Sequence, residues 1–292
     1  MRSLLITGVS GFLGWHACRL LAPEWQVHGT YHQHPIALDQ AVMYSLDLTD
    51  DDAVQASWDA IKPSAVLHTA AISKVNQCQQ DPEGSFLVNV TGAVKLAERC
   101  AAAGIPFLFM STDLVFEGTQ APYTETDRPN PVNHYGQQKA IAEAQILAAY
   151  PQGTICRLPL MYGAATPTAR CFVQGFLQAI AAGQTLTLFT DEIRTPAEVT
   201  DVVQGLRLVL DQGITGIIHL GGPQRLNRYE FGLMMAQAFK LPAAAFQPGL
   251  QSSVPLSAPR PQDVSLNSQR AFSLGYAPRP AAAALGAIAA ER

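Results

Sequence analysis

The sequence has little charge and no run of Lys and Arg. Charged residues make up 14% of the 292 residues, whereas about 25% is usual in globular domains. The 19 basic and 23 acidic side chains leave a formal net charge of −4, so a general nucleic-acid-binding surface is not expected. Hydrophobic residues reach 48%, which predicts a sizeable core rather than extended disorder. We therefore expect small-molecule chemistry.

Cysteine pairs and membrane-length apolar runs are missing as well. The five cysteines, at positions 18, 78, 100, 156 and 171, form no C-x-x-C motif and no Cys/His spacing typical of zinc. We expect reduced packing residues, no disulfide framework and no required metal. The longest charge-free stretch, Cys171–Thr190, is interrupted by Gln, Gly and Thr, so no transmembrane helix is predicted. The N-terminal apolar run is too short for a signal peptide, and a cytoplasmic location is expected.

Short apolar runs alternate with helical patterns in the first half of the chain. The predicted strands are 3–7, Gln26–Tyr31, Val42–Leu46, Ala65–His68, Phe107–Ser111 and Thr154–Leu158. A helical pattern follows the first strand through Trp15 and Leu21, and further helices are predicted near Asp50–Ile61, Pro82–Ala102 and Tyr135–Ala149. This alternation predicts an α/β fold, a doubly wound parallel sheet of the Rossmann type, over residues 1–158.

The rhythm becomes less regular after residue 158. We predict a smaller C-terminal substrate lobe over residues 159–292, with some segments returning to the first domain. Its predicted helices are Arg170–Ala182, Val199–Gln212, Tyr229–Lys240 and Ala281–Ala290. The five prolines of Pro242–Pro261 predict an ordered extended loop or a mobile flap, because proline ends helices.

A glycine-rich turn joins the first strand to the first helix. Gly8 suits a tight turn, Gly11 lets the backbone approach phosphates, and Gly14 permits close packing of helix on strand. The helix that follows offers backbone N–H groups and a dipole to a pyrophosphate. This position in the first βα unit predicts a dinucleotide site, although an ordinary βα turn is the alternative.

The second predicted strand ends without an acidic residue. Residues 27–35 read VHGTYHQHP, and no carboxylate occurs before Asp39. An acid at this place binds the ribose 2′-OH of NAD and repels the 2′-phosphate of NADP, so NADP is predicted to be preferred over NAD. His32 or His34 is a candidate to face the phosphate or is a solvated surface histidine. Asp47 is a candidate for adenine contact or for a helix cap.

Tyr135 and Lys139 are four residues apart in a predicted helix and share one face. A nearby ammonium stabilises a phenolate and lowers the phenol pKa from about 10 towards the range useful for proton transfer. Ser111 ends a predicted strand and Asp113 follows it, at the edge where open α/β sheets bind ligands. The alternatives are two exposed helix residues, and a turn or cap for Ser111 and Asp113.

Seven segments carry a common pattern: TGVSGFLG at 7–14, HTAA at 68–71, NVTG at 89–92, STDLVFEG at 111–118, YGQQK at 135–139, RLPLMYG at 157–163 and RPQDVSLN at 260–267. With them the sequence resembles the extended short-chain dehydrogenases/reductases, and within these the dTDP-4-dehydrorhamnose reductase-like sugar-nucleotide branch. The resemblance covers nearly the whole chain. It implies an NAD(P)H-dependent reductase that transfers a hydride to a keto group of a nucleotide-activated sugar.

The resemblance also implies residue roles. Thr112, Tyr135 and Lys139 match the catalytic hydroxyl, the proton donor and the ribose-binding lysine. The dinucleotide site predicted from the turn, the second strand and the resemblance comprises Gly8, Ser10, Gly11, Phe12, Leu13, Gly14, Tyr31, His32, Asp47, Leu48, Ala70, Ala71, Asn89, Tyr135, Lys139 and Leu158. Substrate contacts are expected from Ser73, Asp113, Arg194 and Arg260, and the two arginines either bind a diphosphate or pair with surface acids. Gln138 departs from the family, which usually has Ser at this position.

Two other functions stay open at this point. A sugar-nucleotide epimerase or dehydratase would retain NAD through its cycle, although Asp113 offers only one acid beside the catalytic hydroxyl. A non-catalytic dinucleotide-binding regulatory subunit, like the β subunit of methionine adenosyltransferase, would keep a similar site.

The resemblance also implies a possible homodimer, because a homodimer paired through helices is common in the superfamily.

Overall fold

The larger part of the molecule is organised by one parallel sheet. The structure is a computed structural model and describes residues 2–291. The seven strands of the sheet are β1 (Ser3–Thr7), β2 (Gln26–Tyr31), β3 (Ala41–Ser45), β4 (Ala65–His68), β5 (Phe107–Thr112), β6 (Thr154–Leu158) and β11 (Gly216–His219). They run in the order β11-β6-β5-β4-β1-β2-β3, and neighbouring strands are parallel. The order changes direction beside β1, and such a switch point is where open α/β sheets bind ligands.

Helices cover both faces of the sheet, which confirms the doubly wound architecture. Alternating residues of β1 face opposite sides. Leu4 and Ile6 pack with buried residues of α1 (Phe12–Leu21) and α8 (Val199–Gln212). Leu5 packs on the other side with α2 (Asp51–Ile61), α5 (Ala93–Ala103) and α6 (His134–Ala149). Both layers are apolar, so burial of the sheet on two sides stabilises the fold.

The helix predicted over Pro82–Ala102 is not uniformly α-helical. The chain forms α3 (Val75–Gln80) and α4 (Pro82–Phe86), then a π-helical segment at Leu87–Gly92, and then α5. Asp81 caps α4 by accepting a hydrogen bond from the backbone N–H of Gly84 at 2.9 Å. π-helical turns inside helices are rare and often lie at functional sites, and this segment contains Asn89.

Among the described residues, ten further strands and α-helices, besides α8 and β11, follow β6, and several of them build a second, smaller core. The ten are β7 (Met161–Tyr162), α7 (Phe172–Ala181), β8 (Leu186–Phe189), β9 (Ile193–Arg194), β10 (Ala197–Glu198), β12 (Leu226–Asn227), α9 (Arg228–Ala238), β13 (Phe246–Gly249), α10 (Gln269–Ser273) and α11 (Ala281–Ala290). Buried side chains of α7, α9 and α11 pack around Phe231 and Phe246. Within the predicted lobe 159–292, β11 is a strand of the large sheet, and α8 and α10 pack against that sheet. No helix among residues 2–291 is long and apolar enough to span a membrane.

The proline-rich stretch Pro242–Pro261 contains no α-helix, as the prolines predicted, but it includes a short strand that was not predicted. Phe246–Gly249 pairs in parallel with Leu186–Phe189 in a separate two-stranded sheet. Pro248 is tolerated there because an edge strand leaves one side without ladder hydrogen bonds. Two 3₁₀ turns, Ala243–Ala245 and Gln251–Ser253, flank this strand.

Candidate active site

A cleft with a volume of about 520 Å³ runs along the carboxyl ends of the sheet strands. Its walls include the residues that directly follow β1, β2 and β4. The predicted dinucleotide-site residues that line it are Gly8, Ser10, Gly11, Phe12, Leu13, Gly14, Tyr31, His32, Asp47, Leu48, Ala70, Ala71, Tyr135 and Leu158, and Ser73 lines it too. The predicted site residues that do not line the cleft are Asn89, Thr112, Asp113, Lys139, Arg194 and Arg260.

The glycine turn leaves no room for side chains. Gly8 has a φ of +74°, and a Cβ on it would lie 2.7 Å from the Cα of Ala70. A Cβ on Gly14 would lie 2.7 Å from the Oγ1 of Thr69. The first turn of α1 has neither a capping side chain nor an acidic residue, so its backbone N–H groups and dipole suit an anion in the cleft. These residues fit the pyrophosphate of a dinucleotide.

Polar residues surround the other end of the cleft. The Nε2 of His32 lies 3.6 Å from the Oδ2 of Asp47. The Oδ1 of Asp47 accepts hydrogen bonds from the backbone N–H and the hydroxyl of Thr49, at 2.9 and 2.8 Å, which holds the pKa of Asp47 below its usual range. Asp50, not Asp47, caps α2 by accepting from the N–H of Ala53. His34 is exposed and also lines the cleft.

Helix α6 presents Tyr135 to the cleft and Lys139 beneath it. Asn133 caps the helix by accepting from the N–H of Gly136 at 2.9 Å, so Tyr135 lies in the first turn. Tyr135 is 9% exposed and Lys139 only 1%. The Nζ of Lys139 lies 3.7 Å from the ring centre of Phe109 on β5, a contact that favours a cation.

The ionisation of this pair differs from the expectation. Burial raises the pKa of Tyr135, and the neighbouring Cys78 and Asp113 act in the same direction. Burial lowers the pKa of Lys139 to about 7, partly opposed by the charge of Glu143. The predicted lowering of the Tyr135 pKa by Lys139 is therefore wrong for this structure, because desolvation of the phenol dominates. Tyr135 is a protonated phenol, as a proton donor must be.

Thr112 ends β5, and Asp113 begins the 3₁₀ turn that follows it. The hydroxyl of Thr112 accepts from the N–H of Leu114 and donates to the Oδ1 of Asp113, both at 3.2 Å. Asp113 is buried, which raises its pKa against the effect of Arg194. Arg194 lies in β9 and donates to the same Oδ1 at 2.7 Å.

The two predicted substrate arginines, Arg194 and Arg260, both pair with the carboxylate of Glu192. Arg194 Nη2 lies 3.6 Å from the Oε1 of Glu192, and Arg260 Nη1 lies 3.5 Å from its Oε2. Arg228 joins them at 3.2 Å. Arg194 is buried, whereas the side chain of Arg260 is 35% exposed. Of the two, Arg260 is the more accessible to a ligand.

Residues 1–291 match the family described as RmlD substrate binding domain. The chain belongs to this family. The match agrees with the resemblance to the dTDP-4-dehydrorhamnose reductase-like branch that the sequence motifs indicated.

Relatives of the family span most of the chain. The probable low-salt glycan biosynthesis reductase Agl14 of Haloferax volcanii is 31% identical over 261 residues, covering 88% of this chain and 87% of that protein. Methionine adenosyltransferase 2 subunit beta of Rattus norvegicus is 29% identical over 286 residues, covering 95% of this chain and 84% of its own. The fold matches the crystal structure of dTDP-4-dehydrorhamnose reductase from Bacillus anthracis in complex with NADP, with a TM-score of 0.88, 22% identity and full coverage of both chains.

Asn89 and Gln138 support the cleft from behind. Asn89 accepts from the N–H of Ile72 at 2.8 Å and donates to the Ile72 carbonyl at 3.0 Å. It also donates to Gln138 at 2.8 Å, and Gln138 donates to the hydroxyl of Ser85 at 2.8 Å. Gln138, the departure from the resembled family's pattern, thus belongs to a buried polar network. Asn89 fixes the segment after β4, whose Ala70, Ala71 and Ile72 form one wall.

Sequence reasoning missed a buried charged group next to Lys139. Glu143 follows Lys139 by one helical turn and pairs with Arg157 of β6 at 2.7 Å. The spacing of four residues between Lys139 and Glu143 could have indicated that the two side chains share one face of the helix. The pairing of Glu143 with Arg157 on a strand could not be read from the sequence.

Residues 2–291 contain no cluster of His, Cys, Asp and Glu arranged to hold a metal. All five cysteines are free thiols, and four are buried.

Proposed function

We propose that the chain is an NAD(P)H-dependent reductase that transfers a hydride to a keto group of a nucleotide-activated sugar, with NADPH preferred over NADH. One observation carries this proposal. Tyr135 forms part of the wall of the same cleft that the glycine turn enters from β1. A proton donor and a phosphate-binding turn then share one ligand space, as hydride transfer to a carbonyl requires.

The residues present fit a dinucleotide along the cleft. The glycine turn and the first turn of α1 would hold its pyrophosphate, and Tyr31, His32 and Asp47 would surround its adenosine end. NADPH preference is supported by the absence of an acidic residue at the end of β2 and by the engagement of Asp47 with Thr49. When bound, the dinucleotide supplies the hydride.

The side chains of the chain itself complete the reaction. Tyr135, protonated because its pKa is raised, donates its proton to the substrate oxygen that receives negative charge. Thr112 positions that oxygen once its hydroxyl turns away from Asp113. Lys139 acts beneath Tyr135 through its charge and would hold the ribose of the dinucleotide.

Recognition of the nucleotide is assigned to the mouth of the cleft and the second lobe. Ser73 lines the cleft after β4, and the side chain of Arg260 stays partly exposed beside Glu192. A planar guanidinium suits a diphosphate. Arg194 supports Arg260 from the buried side of the Glu192 cluster.

The direct test is consumption of NADPH with a panel of nucleotide-activated 4-ketosugars. We expect oxidation of NADPH with at least one dTDP- or UDP-linked ketosugar, and slower oxidation of NADH. A panel that leaves NADPH unconsumed while the dinucleotide binds would overturn the reductase proposal.

The second candidate is a non-catalytic dinucleotide-binding subunit. It is favoured by the 29% identity to methionine adenosyltransferase 2 subunit beta over 95% of this chain. Stoichiometric co-purification with a methionine adenosyltransferase, without NADPH consumption, would support it. An epimerase or dehydratase is disfavoured because the buried Asp113 is paired with Arg194 and offers no free acid.

A homodimer stays a prediction. Phe86, Leu87 and Ile141 are apolar yet 36%, 50% and 39% exposed, and they lie on packed neighbouring elements, α4, the π-helical segment and α6. Such a patch suits helix pairing between two copies. Light scattering of the purified protein measures the mass directly.

A further inference from the structure

Three buried residues form a stripe along α6 below the cleft. Tyr135, Lys139 and Glu143 recur every four residues, so their side chains leave the same face of the helix. Their exposures are 9%, 1% and 3%. The stripe therefore leads from the cleft wall along the buried face of the helix, and the member furthest along the chain from Tyr135 is an acid.

The carboxylate of Glu143 is held on all sides. Its Oε1 accepts from the Nε of Arg157 at 3.0 Å and from the hydroxyl of Ser111 in a short hydrogen bond. Its Oε2 accepts from the Nη2 of Arg157 at 2.7 Å. Two parallel bonds from one guanidinium fix both the position and the plane of the carboxylate. Ser111 lines the cleft, so the network reaches from helix α6 to the ligand space.

A neutral histidine closes the network behind Arg157. The Nη1 of Arg157 lies 3.3 Å from the Nε2 of His219, and the Nδ1 of His219 lies 3.2 Å from the carbonyl of Asn267. Arg157 is a donor only, so Nε2 accepts and Nδ1–H donates. Burial and the charge of Arg157 hold the pKa of His219 at about 3. His219 therefore orients Arg157 without adding charge.

The groups that face Lys139 leave Glu143 as its counter-charge. His68 on β4 is neutral, since burial lowers its pKa to about 3. Cys78 on α3 and Tyr135 are protonated because burial raises both pKa values. Of the described residues, Glu143 is the carboxylate whose charge acts on Lys139.

We propose that Glu143, held by Arg157 and Ser111, is a positioning residue that acts through Lys139 and supplies the counter-charge for its ammonium beneath the cleft. A carboxylate fixed by a bidentate arginine cannot swing away from this place, so its charge acts on Lys139 at a constant distance. The consequence for catalysis rests on the proposed reductase function. The charge on Lys139 is independent of that function, and it can be measured in the protein without any ligand.

The test is a pH titration of ¹³C-labelled lysine side chains by NMR, without any ligand. The chain has five lysines, Lys62, Lys74, Lys95, Lys139 and Lys240, so the Lys139 resonance is assigned by its loss in Lys139→Met. We expect Glu143→Gln to lower the Lys139 titration midpoint by about one pH unit or more, because a buried opposite charge is removed. Glu143→Asp, which keeps the charge, should leave most of the wild-type midpoint.

A matched control makes the same chemical change elsewhere. Glu98 is exposed on α5, and Glu98→Gln should leave the Lys139 midpoint unchanged. Because Glu143→Gln leaves Arg157 buried without its partner, a double variant with Arg157→Met removes both charges and protects folding. The double variant should also titrate below the wild type.

Two results would overturn the proposal. One is a Lys139 midpoint that stays at the wild-type value in both Glu143→Gln variants. The other is a shift of equal size in Glu98→Gln. If the midpoint moves as expected while no ketosugar is reduced, the positioning role of Glu143 holds and the reductase proposal fails. In an active enzyme, the basic limb of the turnover profile should move to lower pH by the same amount as the NMR midpoint.

Discussion

Arg194 donates to the Oδ1 of Asp113 over 2.7 Å, and both side chains are buried. This ion pair ties β9 of the second lobe to the turn that carries Thr112. Breaking a buried pair leaves an uncompensated charge, which costs about 3–5 kcal/mol. We expect Arg194→Met to lower the free energy of unfolding by about this amount, measured by denaturant titration.

A double variant measures the interaction energy between Asp113 and Arg194 apart from the effect of each substitution alone. Asp113→Asn combined with Arg194→Met removes both charges and should recover part of the lost stability. If Arg194→Met unfolds like the wild type, the pair does not hold the lobe to the sheet.

Gly14 is predicted to be intolerant of a methyl group. Its Cβ would lie 2.7 Å from the Oγ1 of Thr69 and would also collide with the carbonyl oxygen of Gly8. Gly14→Ala should therefore destabilise the protein and weaken NADPH binding at least about tenfold, because the turn must open. Dinucleotide fluorescence measures the affinity.

Gly286 offers the matched control on α11, where a Cβ would meet nothing within 4 Å. Gly286→Ala should keep NADPH affinity and add up to about 1 kcal/mol of stability. Equal losses of affinity in both variants would show that the glycine turn has no special place in binding.

His32 lies where a carboxylate would reject the 2′-phosphate of NADP. We expect His32→Asp to lower the ratio of NADPH to NADH specificity, as kcat/KM, by about tenfold or more, since it adds a negative charge beside Asp47. Gln40→Asp adds the same charge at an exposed position outside the cleft and should leave the ratio unchanged. An unchanged ratio in His32→Asp would remove the argument for NADP preference from this strand end.

His68 links stability to pH. Its Nδ1 lies 2.9 Å from the hydroxyl of Thr7, and burial lowers its pKa to about 3 in the folded protein, against about 6.5 in the unfolded chain. The unfolded state therefore binds a proton between these values that the folded state does not. The contribution of neutral His68 to the free energy of unfolding is fully present above about pH 6.5 and is lost progressively as the pH drops towards 3. At pH 5, about 2 kcal/mol of this contribution is lost.

The comparison is between pH 7 and pH 5 in denaturant titrations. His68→Asn should lose less stability over this interval than the wild type, whatever its stability at pH 7. The exposed His34 provides the control, because His34→Asn should keep the wild-type pH dependence. A wild-type pH dependence in His68→Asn would contradict the linkage.

Much of the sheet was predictable because its strands are buried on both faces. Ala65–His68 and Thr154–Leu158 occur as predicted, since a continuous apolar run can satisfy itself only in a covered strand. Leu186–Phe189 and Phe246–Gly249 were missed because each is extended only through pairing with the other, 60 positions away. Local pattern carries no information on such a pair.

The candidate site divides in the same way. The glycine turn and the four-residue spacing of Tyr135 and Lys139 are local features, and the fold brings Gly8 and Tyr135 to one cleft. The direction of the Thr112 hydroxyl towards Asp113 depends on tertiary contacts with Arg194 of another lobe. The pairing of Glu143 with Arg157 also depends on tertiary contacts. The raised pKa of Tyr135 follows from burial, which the spacing of residues in the sequence does not reveal.

The central claim is that the hydroxyl of Tyr135 donates the proton in a reduction. Tyr135→Phe removes that hydroxyl and keeps the buried ring, while Tyr150→Phe makes the same change just after the end of α6. With a ketosugar nucleotide that the wild type reduces, turnover of NADPH by Tyr135→Phe should fall by about 100-fold or more, with NADPH affinity retained and Tyr150→Phe close to wild type. Wild-type turnover in Tyr135→Phe would contradict the account.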